Sequence, residues 1–296
     1  MIVSNKVKNV EINAANDGQR LDNFLISKIK NIPKSHVYRL IRTGQVRVNS
    51  ARSKPSKKLK IGDIVRIPPY TSTESLKPKI SKNLVKKTIK NILYEDKNII
   101  VFNKPSSFSV HSGTGIGYGL IDIIRLAKKD CERIDLLNRL DKDTSGCLIV
   151  TKNLLSLRSY QKKLNDNKLE KKYLCLVKGL WDKNIKRNEI DLTRGNKTKK
   201  ALSEYKIIKY FKESTLLEVN LITGRYHQIR KQCALLGHPI IGDSKYGDFD
   251  INRIYKRNGL NRIFLHSYSV RIDSNKEKLI KSPMPKELEK FLKLHK

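Results

Sequence analysis

Residues 138–153 read NRLDKDTSGCLIVTKN. The first half is polar and turn-forming, with Asp141, Asp143, Thr144, Ser145 and Gly146. The second half contains the unbroken apolar run CLIVT, with the length and β-branched content of a buried strand. A carboxylate in a loop that runs straight into such a strand is held by the sheet yet still reaches a ligand, and chemistry concentrates on loops of this kind. Taken alone, an Asp here is equally what a turn or a helix cap uses, so the surrounding chain has to decide.

Outward from this point, YEDKNIIVFNKP reads as a hairpin, LIDIIRLA as a helix, and KYLCLVKGLW, LLEVNLITG and RIFLHSYSV as strands. In HQIRKQCALLG, Ile229, Cys233 and Leu236 stand at i, i+4 and i+7, and Gly237 closes the helix. Strands outnumber helices without a strict β-α-β alternation, which predicts an α+β domain with a largely antiparallel sheet over residues 89–296. Before it, residues 71–88 mix Ser, Thr, Pro and Lys without periodicity and read as a linker. Residues 18–70 form a smaller unit. Leu21, Phe24, Leu25 and Ile29 give one helix that stops before Pro33; Val37, Leu40 and Ile41 give a second, with Ser35 as its predicted N-cap and Gly44 as its left-handed exit. Val46 and Val48 alternate with Arg47 in a strand, and KLKIGDIVRIPP supplies another after a Gly62–Asp63 turn. Lys34, Arg39, Arg42, Arg47 and Arg52 crowd the second helix and the strand after it, making one strongly basic face.

The whole chain carries 63 Lys+Arg against 28 Asp+Glu, a formal net charge of +35. Such a charge repels itself in a compact state and asks for a polyanionic partner, nucleic acid ahead of membrane. Lys-rich but otherwise ordinary segments such as KNLVKKTIKN read equally as compositional drift or as binding surface. The longest apolar runs fall far short of the roughly 18 residues of a membrane span. The first residues lack the apolar core of a secretory signal, so a cytoplasmic protein without disulfides is expected, and Cys131, Cys147, Cys175 and Cys233 read as core thiols. His227, His238 and His266 lie too far apart for local metal-ligand spacing. The stretch GTGIGYG lacks the strand, helix and acidic partner of a dinucleotide fingerprint and reads as a flexible loop. Neither a metal nor a cofactor is expected.

With those residues in view, RLDKDTSG resembles the RLDxxTSG signature of the pseudouridine synthases of large-subunit rRNA and tRNA that also carry S4 domains. Three further segments resemble the family in order: KKYLCLVKG, LITGRYHQIRKQCALLGHPIIGDSKYG and RIFLHSYSV. GQRLDNFL, HVYRLIRTGQVRVN and KIGDIVRIP resemble the S4 RNA-binding domain over about 50 residues. The resemblance implies an S4-like RNA-binding domain whose basic face, Lys34, Arg39, Arg42, Arg47 and Arg52, grips phosphates of folded RNA. It also implies a catalytic domain, working as a monomer without cofactor, that isomerises specific uridines of 23S ribosomal RNA to pseudouridine. Asp141 would be the nucleophile, attacking ribose or base, and Arg230 the cation that keeps it ionised in a dry pocket. Tyr173 would pack on the target base and assist proton removal from C5, and Arg139 would contact RNA beside the flipped nucleotide. Thr144 and Ser145 are expected to hold the loop by side-chain to backbone hydrogen bonds. One position departs from the family, with Asn138 where His usually precedes RLD. Three alternatives stay open: another 23S or tRNA target; a non-catalytic S4-type assembly factor, which would not need Asp141, Tyr173 and Arg230; and a glycosidase using Asp141 and Asp143. Against the last, a uracil held in the pocket has an effective molarity of about 10⁵ M or more and outcompetes water.

Overall fold

The apolar spacing at Leu21, Phe24 and Leu25 produces the helix Leu21–Lys28, and that at Val37, Leu40 and Ile41 the helix Lys34–Arg42. Both bury these residues with Val46, Val48, Leu59 and Val65 in one apolar cluster. The computed structural model describes residues 2–4, 6–29, 32–72, 80–111, 117–195, 197–272 and 278–295. It divides into two units, Met1–Lys79 and Ile80–Lys296. In the first, a three-stranded sheet runs in the order Lys8–Glu11, Ile64–Ile67, Arg47–Val48. Ile2–Ser4 pairs separately with Tyr70–Ser72.

The second helix starts differently from the sequence reading. Pro33, at φ −57 and ψ 141, is its N-cap and gives no side-chain bond, so Ser35 falls inside the first turn and caps nothing. Proline's fixed φ already sets the chain for helix entry, two positions before the hydroxyl could act. Gly44 does leave the helix in the left-handed region, at φ +73, and a Cβ there would meet Arg52 Nε at 2.6 Å. Inside the 71–88 stretch read as linker lie the strand Tyr70–Ser72 at its start and the helix Lys82–Ile89, whose N-cap Ser81 accepts from Leu84 N at 3.2 Å.

The second unit is built on a ten-stranded sheet. Its main path runs Arg187–Arg194, Lys197–Tyr210, Ser214–Leu221, Glu170–Lys178, Leu265–Arg271, Ser145–Thr151, Ile99–Lys104, Ile92–Glu95. Among the described residues every pairing is antiparallel except one, between Leu265–Arg271 and Ser145–Thr151. One side of the sheet buries Phe102, Leu148, Val150, Cys175, Val177 and Val219 against Ile121 and Ile124 of the helix Leu120–Ala127 and Ile229 and Cys233 of the helix Gln228–Leu235. The other side buries Ile99, Val101, Cys147 and Ile149 with Val270, and Leu176 and Phe264 with Phe291 of the helix Lys286–Leu294. Cys147, Cys175 and Cys233 are buried free thiols and Cys131 is half-buried. Among the described residues no helix is long and apolar enough to cross a membrane. The glycine-rich stretch read as a flexible loop lies largely outside the described residues, which resume at Gly117.

Candidate active site

The loop carrying Asp141 enters the sheet at the parallel junction, where Ser145 faces His266 and Gly146 faces Ser267. Gly146 has φ +109, and a Cβ on it would lie 2.2 Å from Ser267 O, so only glycine lets the two backbones meet here. Beneath the loop, the buried Lys104 donates from Nζ to Pro105 O, Phe108 O and Lys142 O at 2.8, 2.9 and 2.9 Å. Burial pushes its ammonium down to about 7, yet three carbonyl acceptors on one nitrogen need the three hydrogens of the charged form.

The backbone oxygen of Asp143 accepts from Ser106 Oγ at 3.0 Å and from Arg262 Nη2 at 3.1 Å. Ser145 does not bond backbone as expected. Its buried hydroxyl accepts from Arg262 Nη2 at 2.8 Å and meets His266 Nδ1 at 2.9 Å, while His266 Nε2 meets Ser282 O at 3.2 Å. A carbonyl only accepts, so Nε2 carries the hydrogen and Nδ1 takes the one from Ser145. Burial holds His266 down at about 4, which keeps the ring neutral.

Asp141, 27% exposed in its side chain, places Oδ2 3.2 Å from Arg230 Nη1 and Oδ1 3.5 Å from His227 Nε2. Arg230 is itself clamped: Nε and Nη2 donate to the two oxygens of Asp243 at 2.7 and 2.6 Å, and its guanidinium lies 5.2 Å from the Tyr246 ring centroid. Asp243 is buried, and its Oδ1 also accepts from Lys245 N at 2.8 Å and Tyr246 N at 3.1 Å. Burial alone would raise the Asp243 carboxyl; the Arg230 guanidinium and those two amides outweigh it and hold the group below the ordinary carboxylate range. The bidentate clamp therefore uses up two edges of the guanidinium and aims the remaining Nη1 at Asp141. His227, in the left-handed region at φ 54, stacks on Tyr226 at 3.7 Å, and burial pushes its imidazolium below the ordinary value.

These groups open on a cavity of about 840 Å³ lined by Asp141, Tyr173, Arg230, Arg139, Lys171 and Arg225 among others. Tyr173 comes from the strand Glu170–Lys178 and is buried, which pushes its phenol up, so it presents a ring and a donor O–H. Arg139 is exposed at the cavity, and Asp143 is exposed beside it. Asn138, at the departing position, serves the backbone: Oδ1 accepts from Ile149 N at 2.7 Å and Nδ2 donates to Cys147 O at 3.4 Å. In the first unit, Arg39, Arg42 and Arg52 line one groove of about 830 Å³ with Tyr38 and Lys54. Lys34 and Arg47 do not line it; Arg47 Nη1 donates instead to Ser50 O at 3.2 Å. The sequence reading had not singled out Asp243, His227 as a neighbour of Asp141, Lys104 or Lys171. Among the described residues no group of three or more His, Cys, Asp or Glu is arranged to hold a metal ion.

The chain matches the RNA pseudouridylate synthase family over residues 98–235 and the S4 domain over residues 19–65. It belongs to that synthase family, and it is an RNA pseudouridine synthase. It is 39% identical to ribosomal large subunit pseudouridine synthase C of Haemophilus influenzae, over 93% of this chain and 90% of that one. With the enzyme of the same name from Escherichia coli K12 it shares 38% identity, over 97% of this chain and 96% of that one. The solved structure of human RNA pseudouridylate synthase domain containing 4 shares the fold, with a TM-score of 0.60 at 22% identity, covering 71% of this chain and 95% of that one.

Proposed function

We propose that this enzyme isomerises specific uridines of large-subunit (23S) ribosomal RNA to pseudouridine, with Asp141 as nucleophile and no cofactor. The observation that carries the reading is the Asp141 carboxylate at the cavity, facing an arginine whose other donors are fixed by the buried Asp243. Arg230 orients the Asp141 carboxylate through its remaining Nη1. The N-glycosidic bond breaks, the uracil turns against the Tyr173 ring, C5 bonds to the ribose carbon, and the proton lost from C5 is balanced by one gained at N1. The protonated state of the Tyr173 phenol favours its packing role. Arg139 contacts RNA at the cavity, and Arg39, Arg42 and Arg52, with Lys34 and Arg47, hold phosphates elsewhere on the substrate. The substrate class follows the names of the relatives, and a ribosomal RNA substrate implies a cytoplasmic enzyme, here a monomer.

The test combines mapping and chemistry. Pseudouridines are mapped in 23S rRNA from cells with and without the gene, and purified protein is assayed on 23S transcripts with EDTA present. Specific positions should lose pseudouridine in the deletion strain. Asp141→Asn should lower turnover by roughly three orders of magnitude or more in a folded protein. Asp143→Asn should stay active, because the loop uses only that residue's carbonyl. An unchanged map refutes the substrate, a working Asp141→Asn refutes the nucleophile, and stoichiometric uracil release would show a glycosidase instead.

A further inference from the structure

The strand Glu170–Lys178 sends two side chains into the cavity, Tyr173 and, two residues earlier on the same sheet face, Lys171. Lys171 is 3% exposed. Among the described residues its ammonium has no hydrogen bond and no ion pair, and the charged group nearest in effect is Arg225, which is also positive. No side chain separates it from the adjoining turn, where a Cβ on Gly224 would lie 3.9 Å from Lys171 Nζ. Arg225 is exposed at the rim, its Nε bound to Lys200 O at 2.9 Å.

Other cations of this unit with little exposure are compensated. Lys104 has three carbonyls, Arg230 two carboxylates, and Arg262 Glu287 with several oxygens. A buried charge with no partner is costly, so its persistence beside a second cation in a substrate cavity marks the place of a missing anion. Uracil is neutral. The anion that RNA carries into any pocket is its phosphodiester. Lys171 and Tyr173 stand about 7 Å apart along the strand, the scale of one nucleotide from phosphate to base.

We propose that Lys171, with Arg225 at the rim, is the phosphate subsite of this cavity and takes the phosphodiester adjoining the nucleotide whose base packs on Tyr173. Anchoring that phosphate fixes the ribose in front of Asp141. The inference rests on the reading of the cavity as the site of uridine isomerisation. Burial also pushes the Lys171 ammonium down to about 8, so the empty subsite loses its charge as pH rises through that value.

The test compares wild type, Lys171→Met and Lys171→Arg for binding of a 23S rRNA fragment, for kcat and KM, and for thermal unfolding. Lys171→Met should weaken binding about tenfold, chiefly in KM, and reduce the logarithmic salt slope by about 0.7 to 0.9. Its unfolding temperature should hold or rise, since a Met replaces an unpaired buried charge. Wild-type affinity should fall as pH rises through about 8, whereas Lys171→Arg, always charged, should bind well with no such fall. Unchanged binding and slope in Lys171→Met overturns the subsite. So does a loss of both stability and binding that Lys171→Arg fails to restore, which marks a structural residue. Asp141→Asn is run alongside: turnover by that variant would sink the active-site reading itself, whereas a dead Asp141→Asn with normal binding by Lys171→Met sinks only the subsite.

Discussion

Arg230 lies between two carboxylates, and they are not equivalent. Asp243 is buried, with two guanidinium bonds and two amides; Asp141 is partly exposed, with one longer guanidinium bond. The first is fully engaged, whereas the second keeps a side open to the cavity. Asp243→Asn should therefore leave Arg230 poorly held, costing about 3 kcal/mol in stability and lowering kcat. Because the folded-state carboxyl of Asp243 is depressed, its contribution is complete above the unfolded-state value and is lost as pH falls through the folded one. Urea unfolding should thus separate wild type from Asp243→Asn at neutral pH and bring them together in acid; a gap that persists in acid would refute the ion-pair account. Asp141, Arg230 and Tyr173 could be picked out because they sit inside extended motifs. Asp243 could not, since an Asp in GDSKYG has the look of a turn residue, and nothing local announces that its partner lies 13 residues back. Lys104 was hidden for a related reason: a lone Lys before Pro is surface-like until a loop closes over it.

At the level of the elements, the strand Ser145–Thr151 joins the antiparallel run to its one parallel neighbour, and Gly146 is the point of contact. Gly146→Ala should drive the strands apart, destabilising the unit by about 3 kcal/mol and displacing the Asp141 loop, so that activity falls further than stability predicts. Calorimetry and turnover on the same preparation would check this, and a fully active, fully stable variant would refute it. The strands with apolar runs were legible in the sequence because burial on both faces leaves no polar alternation to misread. The strand Lys8–Glu11 and the hairpin Arg187–Arg194 with Lys197–Tyr210 were not. They are charged and mostly exposed, and it is pairing with a neighbour that makes them strands. The parallel register escaped for the same reason, being fixed by residues 121 apart in the chain.

Across the whole molecule, a net charge of +35 promises a polyanion but does not say where it binds. Arg39, Arg42 and Arg52 share one groove of the first unit, where we propose that RNA phosphates are held. Replacing all three by Gln should flatten the logarithmic salt slope of 23S rRNA binding by about 2, at roughly 0.7 per lost contact in single-stranded regions. A slope identical to wild type would mean the excess there is compositional. The bonds that hold the Asp141 loop have a further consequence, one of timing. Arg230, Asp243, Arg262, His266 and Ser282 all lie downstream of it in the chain. During synthesis from the N-terminus, the first unit can fold early, whereas the loop finds Lys104 and Ser106 already made but emerges long before its downstream partners exist. A growing polypeptide thus lacks much of the loop's support until its last stretch has been translated, and a chain truncated before Arg262 would leave the Asp143 carbonyl and the Ser145 hydroxyl without their guanidinium partner.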